Sequence, residues 1–241
     1  MKILLSGING FMGREVLRLS DEVVCGVDKN IEGAPVKTVS NFVEAEKEVD
    51  VIIDFSHHSA TKDLLAFATE NKIPLVLATT GQTEEELNLI KKASEEIPLF
   101  FAANYSLGIA LLIELAKKTA SVFPEAEIEI IEKHHNRKVD APSGTALKIA
   151  ESIKEVRENA TFNCSRSGMG KRTKEEIGIH AVRMGNIVGD HEVIVGTESQ
   201  TITLKHEAHS RSLFAEGALS AARFLIEKEA GLYDMKSMIS F

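Results

Sequence analysis

The chain has 241 residues, 44% of them hydrophobic, and 28 Lys and Arg against 36 Asp and Glu give it a formal charge of −8. That length lies between one large α/β domain and two unequal ones, and the apolar share excludes default disorder. The acidic balance argues against nucleic acid and anionic membrane as partners and favours a small molecule.

The opening MKILLSG is too short an apolar run for a signal peptide, and no later window supplies the ~20 apolar residues of a membrane span. Two cysteines, Cys25 and Cys164, stand far apart without metal-ligand spacing, which suits free thiols in a reducing, cytoplasmic compartment. Over the first hundred residues, short β-rich runs at 3–5, 23–27, 51–55, 74–77 and 99–101 alternate with helical patterns at 11–19, 60–70 and 84–95. The rhythm is that of βαβ units. It predicts a doubly wound parallel sheet with both faces covered.

Directly behind the first strand comes Gly7-Ile8-Asn9-Gly10-Phe11-Met12-Gly13, running into a helix. Glycines here let the backbone turn tightly beside a pyrophosphate, whose charge the N–H groups of a helix N-terminus can hold. The spacing is GxxGxxG, with Asn9 at the usual middle glycine, so a plain tight turn competes with a phosphate loop. Asp28 follows Gly7 by 21 residues at the end of the second strand, where an acid bonds a ribose hydroxyl. Lys29 beside it suits a 2′-phosphate instead, leaving both NADH and NADPH open as cofactors. Ala78, Thr79 and Thr80 fall at the carboxyl end of a later strand, where an open α/β sheet places its ligand crevice.

Beyond Asn104 the rhythm changes. A long apolar helix is expected at 107–122, a strand at 126–131, a helix at 145–156, then strands at 178–183, 192–195 and 201–205 and a closing helix at 213–227. Neighbours in sequence tend to pair, so these strands read as an antiparallel or mixed sheet. The polar stretch 158–176, with Ser165, Arg166, Lys171 and Arg172, reads as a mobile loop. The division is a first unit of 1–105 with 212–241 and a second of 106–211.

The run Glu132-Lys133-His134-His135-Asn136-Arg137-Lys138-Val139-Asp140-Ala141-Pro142-Ser143-Gly144-Thr145 carries the chemistry. Two histidines that titrate near neutrality and a lysine share one short connection. Ser143 is a candidate N-cap, and the turn through Gly144 and Thr145 offers N–H groups to a carboxylate. Arg211 is a further candidate cation. No HExxH or repeated carboxylate spacing supports a metal.

The glycine loop, the Ala102-Ala103-Asn104-Tyr105-Ser106 segment and the HHxxKxDAPSGTA run together resemble the dihydrodipicolinate reductase family. So do Val182-Arg183-x-Gly185, Gly189-Asp190-His191 and Gly231-Leu232-Tyr233-Asp234-Met235. The resemblance implies a Rossmann domain with an inserted α+β substrate and oligomerisation domain, a homotetramer, and a cyclic dicarboxylate as substrate. It implies that His134 is the acid, that Lys138 is a second proton donor, and that His135, Gly144 and Thr145 touch substrate. The glycine loop, Asp28, Thr79, Thr80 and Ala102, Ala103, Asn104 and Tyr105 would hold the cofactor. His58, where the family commonly has proline, and Ala78, where glycine is frequent, depart from the pattern. Hinges are expected near 104–106 and 210–212. Two rival readings are another dicarboxylate-handling dehydrogenase and a non-catalytic nicotinamide-sensing regulator.

Overall fold

A computed structural model describes residues 1–164 and 166–239; Ser165 lies outside them. The chain divides into two compact units, 1–106 with 212–241 and 107–211.

The first unit is a parallel sheet. Seven strands, β1 (Ile3–Ser6), β2 (Val23–Val27), β3 (Thr38–Val39), β4 (Val51–Asp54), β5 (Leu75–Leu77), β6 (Pro98–Phe101) and β12 (Gly231–Tyr233), lie in the order β12-β6-β5-β4-β1-β2-β3. β1, β2, β4 and β5 are almost wholly buried, which is why they read as continuous apolar runs rather than alternating ones. α1 (Phe11–Leu19), α2 (Thr61–Asn71), α3 (Glu84–Ala93) and α6 (Ser212–Leu225) cover it. α3 begins with a capping box, the Thr83 hydroxyl accepting from the Glu86 N–H and the Glu86 carboxylate from the Thr83 N–H. Strand order reverses between β1 and β4, the point at which such sheets open a ligand crevice.

The second unit is a mixed sheet of β7 (Glu127–His134), β8 (Thr161–Asn163), β9 (Glu176–Arg183), β10 (Gly189–Gly196) and β11 (Thr201–Ala208) in the order β11-β10-β7-β9-β8. α4 (Leu107–Val122) and α5 (Gly144–Lys154) pack on one face, where Leu112, Ala116, Ile149 and Ile153 meet Ile128, Ile130, Ile177 and Val193. Along β7 burial alternates residue by residue, as one covered face requires.

Two sequence expectations need correction. The strands β9 and β10, consecutive in the chain, do not pair, because β7 lies between them, parallel to β9 and antiparallel to β10. The stretch 158–176 is not a plain loop, since β8 within it pairs in parallel with the start of β9. Arg166 and Arg172 fasten the rest, Arg166 Nε donating to the Glu176 carboxylate at 2.9 Å and Arg172 Nη2 to the Ile128 carbonyl at 2.9 Å.

Candidate active site

In the first unit the glycine loop leaves β1 with Gly7 at φ +77°, the left-handed region that favours glycine. A Cβ on Gly7 would stand 2.5 Å from the Phe55 carbonyl oxygen, and one on Gly13 would stand 2.2 Å from the Gly7 carbonyl oxygen. Side chains are therefore excluded where loop, β4 and α1 converge. Asn9 takes no positive φ, so the middle position needs no glycine; its side chain turns outward and donates to the Asn30 carbonyl at 2.6 Å. No side chain caps α1 and no acid occupies its first turn, so its positive end is left for an anion.

Asp28 clamps this loop. Its carboxylate accepts from the Asn9 N–H at 3.0 Å and the Asn30 N–H at 3.1 Å. A cleft of about 990 Å³ runs past Gly7, Gly10, Asp28 and Lys29. Arg14, which the sequence reading missed, also lines it, and Ala78, Thr79, Thr80 and the 102–105 segment do not. The Thr79 hydroxyl is committed to Asp54 at 2.6 Å, and Thr80 is exposed. Tyr105 is buried with its hydroxyl donating to the Leu77 carbonyl at 2.9 Å, while Asn104 accepts from the Ser106 N–H. Ala78 and Ala102 are half-buried and Ala103 is exposed. His58, the departure from the family pattern, bonds Glu86 at the start of α3. The cleft, the excluded Cβ positions and the uncapped helix end fit a dinucleotide.

In the second unit the covered sheet face changes character along β7, from Ile128 and Ile130 to Glu132 and His134. Glu132 is wholly buried, and its Oε2 accepts from His134 Nδ1 at 2.6 Å. Arg183 forks onto the same carboxylate, Nη1 to Oε2 at 2.7 Å and Nη2 to Oε1 at 2.6 Å. The Ser143 N–H adds a bond to Oε1 at 2.9 Å. Burial alone would push this carboxyl up, but the bonds from His134, Arg183 and Ser143 outweigh it and hold it down to about 2.

His191, opposite Glu132 in register, sets its ring edge-on to His134 with centroids 5.2 Å apart and places Nε2 3.2 Å from the Ser143 hydroxyl. Burial, and after it the charge of His134, lowers its imidazole to about 4. Ser143 caps α5 by accepting from the Ala146 N–H. Glu132, Arg183 and His191 are the functional candidates to which sequence reasoning gave no role. One signal was available for Glu132, since residues two apart on a strand share a face.

Past β7, His135 is half-buried with Nδ1 enclosed and unpartnered. Burial, and then the charges of Arg137, Arg211, His134 and Lys138, lowers its imidazole. That influence places Arg211 near this loop. Lys138 Nζ bonds Asp140 Oδ1 at 2.8 Å, and the Gly144 N–H donates to the same carboxylate. Thr145 follows in the first turn of α5. The loop thus already holds one carboxylate, supplied by the chain itself. Among the described residues no group of His, Cys, Asp or Glu is arranged to hold a metal ion.

Comparison with known proteins assigns this pairing of units. Residues 1–105 match the family model described as dihydrodipicolinate reductase, N-terminus, and residues 108–239 match the corresponding C-terminus model. The chain belongs to the dihydrodipicolinate reductase family. A 4-hydroxy-tetrahydrodipicolinate reductase of Caldanaerobacter subterraneus is 47% identical over 99% of this chain and 98% of its own. One from Clostridium tetani is 46% identical over 100% and 97%. Among solved structures, a dipicolinate-bound dihydrodipicolinate reductase from Paenisporosarcina superposes with TM-score 0.83 at 26% identity, covering 99% of both chains. An aspartate dehydrogenase from Thermotoga maritima, at TM-score 0.54 and 14% identity, shares the fold alone. The family is one of NAD(P)H-dependent oxidoreductases, and the Rossmann unit with its second, mixed sheet bears out the fold expected from the sequence.

Proposed function

We propose that this chain reduces 4-hydroxy-tetrahydrodipicolinate to tetrahydrodipicolinate with NADH or NADPH, in the branch of biosynthesis that makes diaminopimelate and lysine. The observation that carries the reading is the loop that already grips a carboxylate through Lys138 and the Gly144 N–H, next in sequence to the buried His134–Glu132 pair. A substrate carboxylate would take the place of Asp140 there, with His135, Ser143, Thr145 and Arg211 around it.

The glycine loop from Gly7 to Gly13 would hold the pyrophosphate, Asp28 the ribose, and Lys29 with Arg14 a 2′-phosphate. Ala78, Thr79, Thr80 and the Ala102, Ala103, Asn104 and Tyr105 segment would border the nicotinamide, with Thr79 and Tyr105 contributing main chain because their hydroxyls are already engaged. When bound, the reduced nicotinamide supplies the hydride. For the step to balance, the 4-hydroxyl leaves as water; His134 gives its proton to the site where electron density builds on the substrate ring, and Lys138 serves as the second donor.

No helix among the described residues is long and apolar enough to cross a membrane. Free thiols at Cys25 and Cys164 support a cytoplasmic setting. The sheet face turned away from α4 and α5 carries Ile131, Val182 and Ile194, and we assign it to packing between copies in a homotetramer. Measuring kcat/KM for both nucleotides with freshly generated substrate tests the activity and the cofactor choice together. Nucleotide oxidation that ignores the substrate would overturn the reading, and a monomer by light scattering would overturn the assembly.

A further inference from the structure

The catalytic loop alone does not explain why its acid and its anion-binding turn keep a fixed relation. We propose that Glu132, clamped by Arg183, is the positioning residue of the reaction: one buried carboxylate fixes both the proton donor and the helix turn that receives the substrate. This rests on the reductase reading above.

Each oxygen of Glu132 has its own task. Oε2 faces His134 Nδ1 at 2.6 Å, and Oε1 holds the Ser143 N–H at 2.9 Å, at the N-cap of α5. Arg183 binds both oxygens and also donates to the Asp140 carbonyl at 2.7 Å, so the guanidinium extends the same lattice to the residue beside the carboxylate grip. Glu132 and His134 sit two apart on β7, and Arg183 lies opposite His134 on β9, so neighbouring strands fix the geometry rather than a loop.

The consequence for His134 is chemical. An ionised carboxylate can only accept a hydrogen bond, so Nδ1 must carry hydrogen and Nε2 is the nitrogen left to exchange a proton. The space beside Nε2 is kept open by Gly189, where even a Cβ would come within 3.0 Å. Among the described residues, Glu132 faces this imidazole from its own strand, Arg183 from β9, His191 from β10 and His135 from the loop. His191 is uncharged near neutrality, and the carboxylate touches the ring directly at Nδ1.

A residue that merely supports the fold would lower stability without changing the pH profile of turnover. Glu132→Gln is expected to lower kcat by roughly 10- to 100-fold, the usual cost of losing a partner that orients a reacting histidine. Its substrate KM should rise, its nucleotide Kd should stay within about twofold, and the alkaline fall of kcat should begin at lower pH. Combined with His134→Gln it should cost no more than His134→Gln alone. An unmoved pH profile or additive losses would overturn the proposal. Because the substitution leaves Arg183 without its counter-charge and could unfold the unit, nitrogen NMR of the wild-type protein gives a second reading. It should show neutral His134 hydrogenated at Nδ1. The Nε2–H form would overturn the proposal whatever the fate of the variant. That spectrum needs no activity, so failure of the reductase reading, seen as wild-type protein that does not turn over the substrate, remains distinguishable.

Discussion

Each unit buries one carboxylate toward the carboxyl end of a strand, and the two meet opposite fates. Asp54, 1% exposed at the end of β4, is met by the hydroxyls of Ser56 at 2.5 Å and Thr79 at 2.6 Å and by Ser6, with no cation. Burial wins there and raises its carboxyl above the ordinary range. Glu132, 0% exposed, is met by a guanidinium and an imidazole, and its carboxyl falls to about 2. Burial does not decide the charge state of a carboxyl; a desolvated counter-charge does. The difference suits the two tasks. A crevice proposed for a pyrophosphate gains nothing from a fixed negative charge nearby, whereas an imidazole proposed as a proton donor gains directly.

The largest expected effect separates the units by chemistry. Replacing His134 with Gln removes the proposed donor but keeps a polar side chain of similar length, and should lower kcat by ~10² to 10⁴, the usual contribution of a positioned acid. Nucleotide affinity, which the proposal assigns to the other unit, should not change. Single-turnover kinetics with a nucleotide titration measures both. A fall in nucleotide affinity of comparable size would mean that the two sites are not independent in this way.

Acid should separate the units by sign. His191 is held uncharged, its imidazole at about 4 against an ordinary 6.5, so the unfolded chain takes up its proton first. Stability is therefore full above about pH 6.5 and falls as pH drops toward 4, by about 3 kcal/mol for this group. Glu132 adds to the loss lower down, between its ordinary 4.5 and about 2, because its depressed carboxyl also protonates first in the unfolded chain. Asp54 works the other way. Its raised carboxyl contributes stability that is present at low pH and lost as pH rises through its folded value. Thermal melts of wild type and His191→Gln between pH 7 and 4 test this. The variant should lose distinctly less stability over that range, and parallel slopes would show that His191 is not held neutral.

The same contrast governs what could be read from the sequence. The glycine loop was legible because its requirement is local: Gly7 must take a left-handed φ and Gly13 must lack a side chain, and both are written as glycines behind an apolar strand. Asn9 can stand at the usual middle glycine because that position takes no positive φ. The loop from His134 to Thr145 was legible for its composition, but its support was not. Arg183 meets Glu132 across 51 positions of chain, and no local pattern announces that. Edge strands escaped for a related reason. β12 has only three residues, with Leu232 51% exposed, and exists because β6 pairs with it. β8 is polar and gains its form from β9.

A smaller effect should confine damage to the first unit. Gly13→Ala places a methyl against the Gly7 and Ile8 carbonyls, and because those neighbours are backbone they cannot swing aside. Overpacking of this kind costs roughly 1–3 kcal/mol, which should weaken nucleotide binding by about 10- to 100-fold while kcat at saturating nucleotide stays near that of wild type. Isothermal titration with NADH or NADPH measures it, and undiminished affinity would show that the loop relaxes freely.

The smallest effect concerns the carboxylate that the second unit supplies to itself. If Asp140 occupies the grip of Lys138 and Gly144 in the free enzyme, substrate must displace it, and part of the binding free energy is spent on that exchange. The Lys138–Asp140 pair is partly exposed, with side-chain exposures of 22% and 59%, and such pairs contribute ~0–1 kcal/mol. Asp140→Asn keeps a turn-forming side chain, removes the competing charge, and should therefore lower substrate KM by up to about fivefold with kcat nearly unchanged. A raised KM would give Asp140 the opposite role, that of holding Lys138 ready rather than occupying its site. The buried pair and the exposed pair would then both be supports, and the loop would need a different account of how it accepts a second carboxylate.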